Sequence, residues 1–292
     1  MNSEFDVCVV GSANLDIVAT AARHPKPGET ILGTDYHEHA GGKGLNQAVA
    51  AVRSGSSVAF VGALGDDAAG RWLREVLARE SIDSSCVTEV DAPTGRAVIV
   101  VDRDGENSIV VVPGANATVT VADSLPEAAV VLCQLEIPVD AVASALGIGR
   151  RRGSITVLNP APAVTLAADL VGRCDVITPN EHEVELLGGV RGLLEAGCGS
   201  VVVTRGGEGV DIHTVSGVTH LDAPSVAVVD TTGAGDAFSG SLASRLAIGA
   251  SLAEAVAWAN VAGALATTKA GAVPAQPRSV EIEALLRLQH HR

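Results

Sequence analysis

The stretch Val228-Val229-Asp230-Thr231-Thr232-Gly233-Ala234-Gly235-Asp236 reads as an apolar strand running into a glycine-rich turn, with a helix over Ala237–Ile248 beyond it. Strand, tight turn and helix in that order form the unit from which α/β proteins are built. Gly233 and Gly235 leave backbone amides unobstructed at a helix N-terminus, where the first N–H groups lack intrahelical acceptors and the dipole favours an anion. Phosphate oxygens fit such a place. Asp236 heads the helix, where the same field favours its carboxylate form and leaves it able to accept a hydroxyl proton. Taken alone, these nine residues also describe a plain helix N-cap after a turn. They do not match G-x-x-x-x-G-K-[ST], and no strand here leads into G-x-G-x-x-G, which disfavours a Walker-type or dinucleotide site.

Outward from this stretch, short Val-rich runs recur between helix-length segments: Phe5–Val10, Val58–Leu64, Val130–Leu135, Ile155–Leu158, Val176–Thr178 and Val201–Thr204. They predict buried strands of a mostly parallel sheet. The segment Ala68–Arg79 is amphipathic, with Trp72, Leu73, Val76 and Leu77 on one face. Two extended stretches, Asp16–Tyr36 and Gly95–Val112, carry the turn signals Pro27-Gly28 and Asp104-Gly105 and predict a separate small sheet. Val210–His213 and Val218–Leu221 flank Ser216-Gly217 as a hairpin, and the chain from Asp236 onward is mostly helical. No repeat, low-complexity tract or linker divides the chain, so residues 1–292 are expected to form one domain.

Two more polar clusters stand at places suited to ligands. In Ala40-Gly41-Gly42-Lys43-Gly44-Leu45-Asn46, a glycine pair feeds an Ala-rich helix, so Lys43 and Asn46 at its start could face a polyhydroxyl ligand. A glycine turn with a solvated lysine is the plainer reading of the same residues. Near the N-terminus, the first strand is followed by Gly11-Ser12-Ala13-Asn14-Leu15-Asp16. Ligands bind at the C-terminal ends of parallel strands, and Asn14 with Asp16 offers donors and acceptors for hydroxyls, although an ordinary Asx turn also fits.

Composition narrows the partners. Thirty-four acidic against twenty basic residues give a net charge of −14, which repels phosphate backbones and anionic membranes at long range; neither nucleic acid nor membrane is expected as a partner. An anionic co-substrate would need a local site of backbone amides or a metal. The five cysteines are scattered and form no C-x-x-C pair, so neither a disulfide framework nor a zinc site is expected. The N-terminus lacks a basic segment followed by an apolar run of leader length, and the expectation is a cytoplasmic protein.

Gly11–Asp16, Gly41–Asn46 and Asp230–Asp236, in that order and at these separations, resemble the signature set of the ribokinase, or phosphofructokinase-B-type, family of carbohydrate kinases. Gln134-Leu135-Glu136, Leu158-Asn159-Pro160-Ala161-Pro162-Ala163 and Thr178-Pro179-Asn180-Glu181-His182-Glu183 also resemble segments of that family. The similarity runs from about Phe5 to about Arg278.

The resemblance implies a three-layer α/β/α sandwich with a mostly parallel central sheet and a small β lid formed by about residues 14–40 and 93–115. It implies an ATP-dependent sugar kinase, most simply one acting on the 5-hydroxyl of D-ribose. Kinases for deoxyribose, fructose or adenosine and a silent sugar-binding protein share the scaffold. By similarity, Asn14, Asp16, Gly42, Lys43, Asn46 and Glu136 line the sugar pocket, Asp236 is the base, and the amides of Gly233, Ala234 and Gly235 form the anion hole. Asn180, the loop Thr204-Arg205-Gly206-Gly207-Glu208-Gly209, Gly235 and Asn260 would take the nucleotide. Glu183 would hold Mg2+, through water. Asp230, Thr232, Ala266, Lys269, Gly271 and Ala275 would hold K+, mostly by backbone carbonyls. The lid would also form a homodimer. One departure is the segment Gly188–Gly197, shorter than in the family and expected to lack a helix or part of a connection.

Overall fold

The computed structural model describes residues 3–290. In chain order the strands are β1 Phe5–Val10, β2 Asn14–Ala21, β3 Gly33–Gly41, β4 Val58–Gly65, β5 Val87–Val90, β6 Gly95–Val101, β7 Asn107–Val112, β8 Ala128–Cys133, β9 Ile155–Leu158, β10 Val176–Ile177, β11 Ser200–Thr204, β12 Val210–Thr214 and β13 Gly217–Leu221. The helices are α1 Lys43–Arg53, α2 Ala68–Arg79, α3 Val139–Arg152, α4 Ala168–Val171, α5 Glu181–Leu186, α6 Gly189–Glu195, α7 Ala234–Ala247, α8 Leu252–Ala266, α9 Ala272–Ala275 and α10 Ser279–His290.

Nine strands form the main sheet in the order β13-β12-β11-β10-β9-β8-β1-β4-β5. All neighbours are parallel except β11–β12 and β12–β13. Both faces of the sheet are buried because successive side chains of a strand point to opposite sides. Val7 and Val9 of β1 enter a core with Leu45 and Val49 of α1, Leu73 and Leu77 of α2, Leu242 of α7 and Val256 of α8. Cys8 and Val10 enter a second core with Val142 and Leu146 of α3, Leu170 of α4, Val184 of α5 and Leu193 of α6. Helices on both faces make the expected three-layer sandwich.

Small residues let the layers approach closely enough to bring functional side chains together. Gly240 lies where α7 crosses α1, and a Cβ at that position would stand 2.3 Å from the carbonyl oxygen of Gln47. Only the missing side chain allows this crossing, which presents Asn46 and Gln47 to Asp236.

The second sheet has four strands in the order β3-β2-β6-β7, with β2–β6 parallel and the other pairs antiparallel. Its body-side end is buried at Asn14 and Gly95, while the edge strand β7 is exposed along its whole length.

Some boundaries differ from the sequence reading. Val228 and Val229 form no strand; they are 63% and 65% exposed. The main sheet ends at the β12–β13 hairpin, and the backbone amides of Val229 and Asp230 instead donate to the carbonyl of Thr267, at 2.8 and 3.1 Å. Helix α7 begins at Ala234 with Gly233 as its N-cap, three residues earlier than expected. β8 and β10 stop at Cys133 and Ile177, which leaves Gln134 and Thr178 in connections. The short segment after Leu187 does hold a helix, the seven-residue α6. All five cysteines are unpaired. Among the described residues no helix is long and apolar enough to cross a membrane.

Candidate active site

Asp236 is the third residue of α7 and only 6% exposed. Its carboxylate meets the start of α1: Asn46 Nδ2 donates to Oδ2 at 2.9 Å and Gln47 Nε2 donates to Oδ1 at 2.8 Å. Each oxygen keeps a second lone pair for a hydroxyl proton. Gly42 fixes where α1 begins. It caps the helix at φ 89°, and a Cβ there would lie 2.8 Å from the backbone nitrogen of Asn14. The helix start is therefore pressed onto the loop that follows β1.

That closeness assembles the expected sugar side. Glu136 Oε2 accepts from Ser12 Oγ at 2.5 Å and from the Lys43 amide at 3.0 Å. Asn116 Nδ2 donates to Asn14 Oδ1 at 2.7 Å, so Asn14 keeps its own NH2 group as a donor. Asp16 lies over the backbone of Gly41, where a Cβ would stand 1.9 Å from its Oδ2. Two acceptors here, Asp16 Oδ1 and Asn46 Oδ1, are buried without any donor. Buried polar atoms are normally paired, so this pair of orphans marks a place where ligand hydroxyls would complete the bonding. Burial, then the charges of Glu136 and Asp236, push the Asp16 carboxyl up to about 7. Burial opposes the charge on Lys43, but the carboxylates of Asp236, Glu136 and Glu183 outweigh it and hold the ammonium above its ordinary range.

On the other side of α7 lies a cavity of about 780 Å3 lined by Asn180, Thr204, Gly206, Gly207, Gly209, Ala234, Gly235 and Asn260. The remaining wall is largely apolar and includes Val226, Phe238, Gly263 and Ala264, none of which the sequence reading singled out, and Val228, which it placed in a strand. Val228 is exposed because it forms this wall. Arg205 and Glu208 do not line the cavity. They pair with each other at 2.7 Å, and Arg205 also reaches Asp211 and Glu181 at 3.3 Å. Asn260 Nδ2 donates to the carbonyl of Asp222 at 2.8 Å, which ties the loop after β13 to α8. Asn180 and Glu183 form a capping box at the start of α5, each side chain accepting from the other's amide. Burial raises the Glu183 carboxyl above its usual range despite that amide bond.

At the head of α7, among the described residues, no protein acceptor faces the amides of Gly233, Gly235 or Asp236. The Ala234 amide is turned into the bend, donating to Thr231 O at 3.2 Å, which corrects the expectation of three consecutive free amides. A Cβ on Gly235 would meet nothing within 4 Å, so its Cα opens on the cavity. Behind the turn, Asp230 accepts from Thr232 N at 2.9 Å and Gly271 N at 2.8 Å, joining the two loops expected to hold a monovalent cation. Burial works against its charge, but the Gly271 and Thr232 donors prevail and hold the carboxyl below its ordinary range. Lys269 Nζ pairs with Glu281 at 2.9 Å, and Ala266 and Ala275 are fully buried.

Gln47, Gln134 and Asn159 were given no role by the sequence reading, yet Gln47 holds Asp236 and the other two hold Gln47. Gln134 Nε2 donates to Gln47 Oε1 at 2.7 Å, and Gln47 Nε2 donates to Asn159 Oδ1 at 3.0 Å. Their signal in the sequence is faint: Gln134 and Asn159 are polar residues just past the ends of buried strands.

A cavity beside unpaired helix-start amides, two buried orphan acceptors and a carboxylate held between α1 and α7 are parts that a kinase site on an α/β sandwich requires. Residues 4–278 match the model of the pfkB family carbohydrate kinases, and the chain belongs to that family. It is 36% identical over 297 residues to the ribokinase of Staphylococcus aureus, covering 94% of this chain and 98% of the relative. It is 38% identical over 287 residues to the bifunctional ribokinase/ribose-5-phosphate isomerase A of Fructilactobacillus sanfranciscensis, which covers 91% of this chain and 53% of that protein's length. Among solved structures it resembles Arabidopsis thaliana ribokinase complexed with ribose and ATP, with a TM-score of 0.89, 31% identity, and coverage of 97% of this chain and 99% of the other.

Proposed function

We propose that this protein is an ATP-dependent ribokinase. The observation that carries the reading is the position of Asp236. Its carboxylate is held by Asn46 and Gln47 on the hydroxyl-binding side, while the free amides of its own helix start open toward the cavity.

The sugar sits against Asn14, Asp16, Gly42, Lys43, Asn46 and Glu136, with its hydroxyl protons on the orphan oxygens of Asp16 and Asn46. ATP occupies the cavity, its phosphates reaching the amides of Gly233, Gly235 and Asp236. The 5-hydroxyl oxygen attacks the γ-phosphorus, the bond to the bridging β–γ oxygen breaks, ADP leaves, and the hydroxyl proton passes to Asp236. Positioning and charge stabilisation supply most of the acceleration in such transfers. Lys43 sits among Asp236, Glu136 and Glu183, where it offsets their charge beside the incoming phosphoryl group.

Glu183 fits a water-mediated Mg2+ contact, since one of its oxygens is committed to the Asn180 amide and the other is spare. When bound with ATP, Mg2+ would neutralise phosphate charge. Asp230, tied to the Gly271 loop, and the unpartnered Oε1 of Gln276, next to Ala275 in sequence, supply oxygen donors of the kind that suit K+. The chain acts as one kinase domain whose four-stranded sheet forms a lid over the sugar. Pairing of two lids in a homodimer would cover the exposed apolar side chains of β7, Ile109, Val110, Val111 and Val112. The family and the acidic charge support a cytoplasmic enzyme.

The test is ADP release against a panel of pentoses, hexoses and nucleosides, with Asp236→Asn as control. Turnover with ribose far above the other acceptors is expected. Equal, negligible turnover in both proteins would overturn the kinase reading in favour of a silent binder.

A further inference from the structure

The side chain of Gln47 is completely buried and every hydrogen-bonding group it has is used. Its oxygen accepts from Gln134 Nε2, and its two N–H groups go to Asp236 Oδ1 and Asn159 Oδ1. The neighbours fix which way the amide points. Asn159 is itself oriented by donating Nδ2 to the carbonyl of Thr178 at 3.0 Å, so it turns its oxygen to Gln47. Gln134 presents an N–H at the other end. A reversed Gln47 would set its carbonyl against a carboxylate and an amide oxygen, and its NH2 against another NH2. That arrangement leaves several buried groups unpaired, at roughly 1–3 kcal/mol each. Gln134 and Asn159 stand just past the C-terminal ends of β8 and β9, and Asn159, anchored to Thr178, dictates the orientation that Gln134 then follows.

We propose that Gln47 is a positioning residue for the phosphoryl transfer: a sheet-anchored donor that holds the Asp236 carboxylate in place without touching the sugar. The inference rests on Asp236 being the base. Asn46 holds the other oxygen but also offers Oδ1 to the ligand, whereas Gln47 has nothing left to offer one. Removing this donor leaves Asp236 Oδ1 without its fixed partner, so the carboxylate can turn away from the reacting hydroxyl while the sugar contacts remain. The charged groups facing Asp236 are Lys43 at the start of α1, Asp16 on β2 and Glu183 on α5, with Glu136 beside Lys43 and Asp16. All of them are left in place by a change at Gln47.

The experiment is kcat and the ribose KM of the full chain, its Gln47→Met variant and its Gln134→Met variant, with Tm to check folding. Gln134 does not reach Asp236, so its loss only frees one end of Gln47. For Gln47→Met kcat is expected to fall by roughly tenfold at saturating ribose. The ribose KM should stay within about threefold. Gln134→Met should lower kcat by less, and it serves alone if Gln47→Met does not fold. An unchanged kcat, or a rise in KM as large as the fall in kcat, in the folded variants would overturn the proposal and leave Gln47 a packing residue. If Asp236→Asn itself retained full kcat, the base assignment would fall instead, so the two failures are distinguishable.

Discussion

Asn46 Nδ2 lies 2.9 Å from Asp236 Oδ2, a contact between residues 190 positions apart that joins α1 to α7. The other end of the same amide, Oδ1, is buried with no donor. On the proposed reading this one side chain would span base and substrate. Asn46→Leu should raise the ribose KM and lower kcat together, a combined loss in kcat/KM of about 3 kcal/mol, or some two orders of magnitude. Steady-state kinetics at saturating ATP checks this; a change confined to KM would make Asn46 a pure binding residue.

On the proposed reading Asp16 would couple sugar binding to pH. Its folded carboxyl titrates near 7, above the ordinary value of 3.8, so it costs the free protein no stability in acid and progressively more as pH rises from 3.8 through 7. Asp16→Asn should therefore raise Tm at pH 8 and have little such effect at pH 4. In the wild type the ribose KM should rise as pH falls below 7, because the protonated group loses acceptor capacity. Melting curves and KM measured across that range test both signs. A Tm gain that is equal at both pH values would remove the titration argument.

Gly235 separates folding from chemistry. A side chain there meets open space, so Gly235→Val should fold normally while crowding the place where phosphate oxygens approach. Loss of one such donor contact lowers kcat by about 10^2 to 10^3. The measurement is kcat alongside Tm; unchanged kcat would place the phosphates elsewhere.

Gly240 should behave in the opposite way. Gly240→Val forces α7 away from the Gln47 carbonyl and should cost at least about 1–3 kcal/mol in urea-denaturation stability. Stability equal to wild type would mean the helix crossing is not set by this contact.

The Asp230 bridge between the two turn loops makes the cation dependence testable. Turnover should be faster in K+ than in Na+ buffer, and Asp230→Asn should abolish the difference. Indifference of the wild type to the exchange would remove the cation site.

Phe5–Val10 and Val201–Thr204 were legible in the sequence because strands buried on both faces are almost continuously apolar, here Val7–Val10 and Val201–Val203. The glycine turns were legible too, since residues such as Gly42 are required by local backbone geometry. Val228 misled because apolar content marks a cavity wall as readily as a strand. Arg205 looked like a phosphate ligand, but three carboxylates within 3.3 Å claim it, and that clustering exists only in the folded chain. The amides of Gln47, Gln134 and Asn159 meet through the juxtaposition of strand ends, which no local pattern encodes.

The central claim is tested most directly by Asp236→Asn, measured for kcat by ADP release and for ribose affinity by calorimetry. Asparagine keeps the size and the neighbours but cannot take the proton. We expect kcat to fall by about 10^2 to 10^4 with ribose affinity changed by less than about fivefold. A kcat within about threefold of wild type would contradict the account.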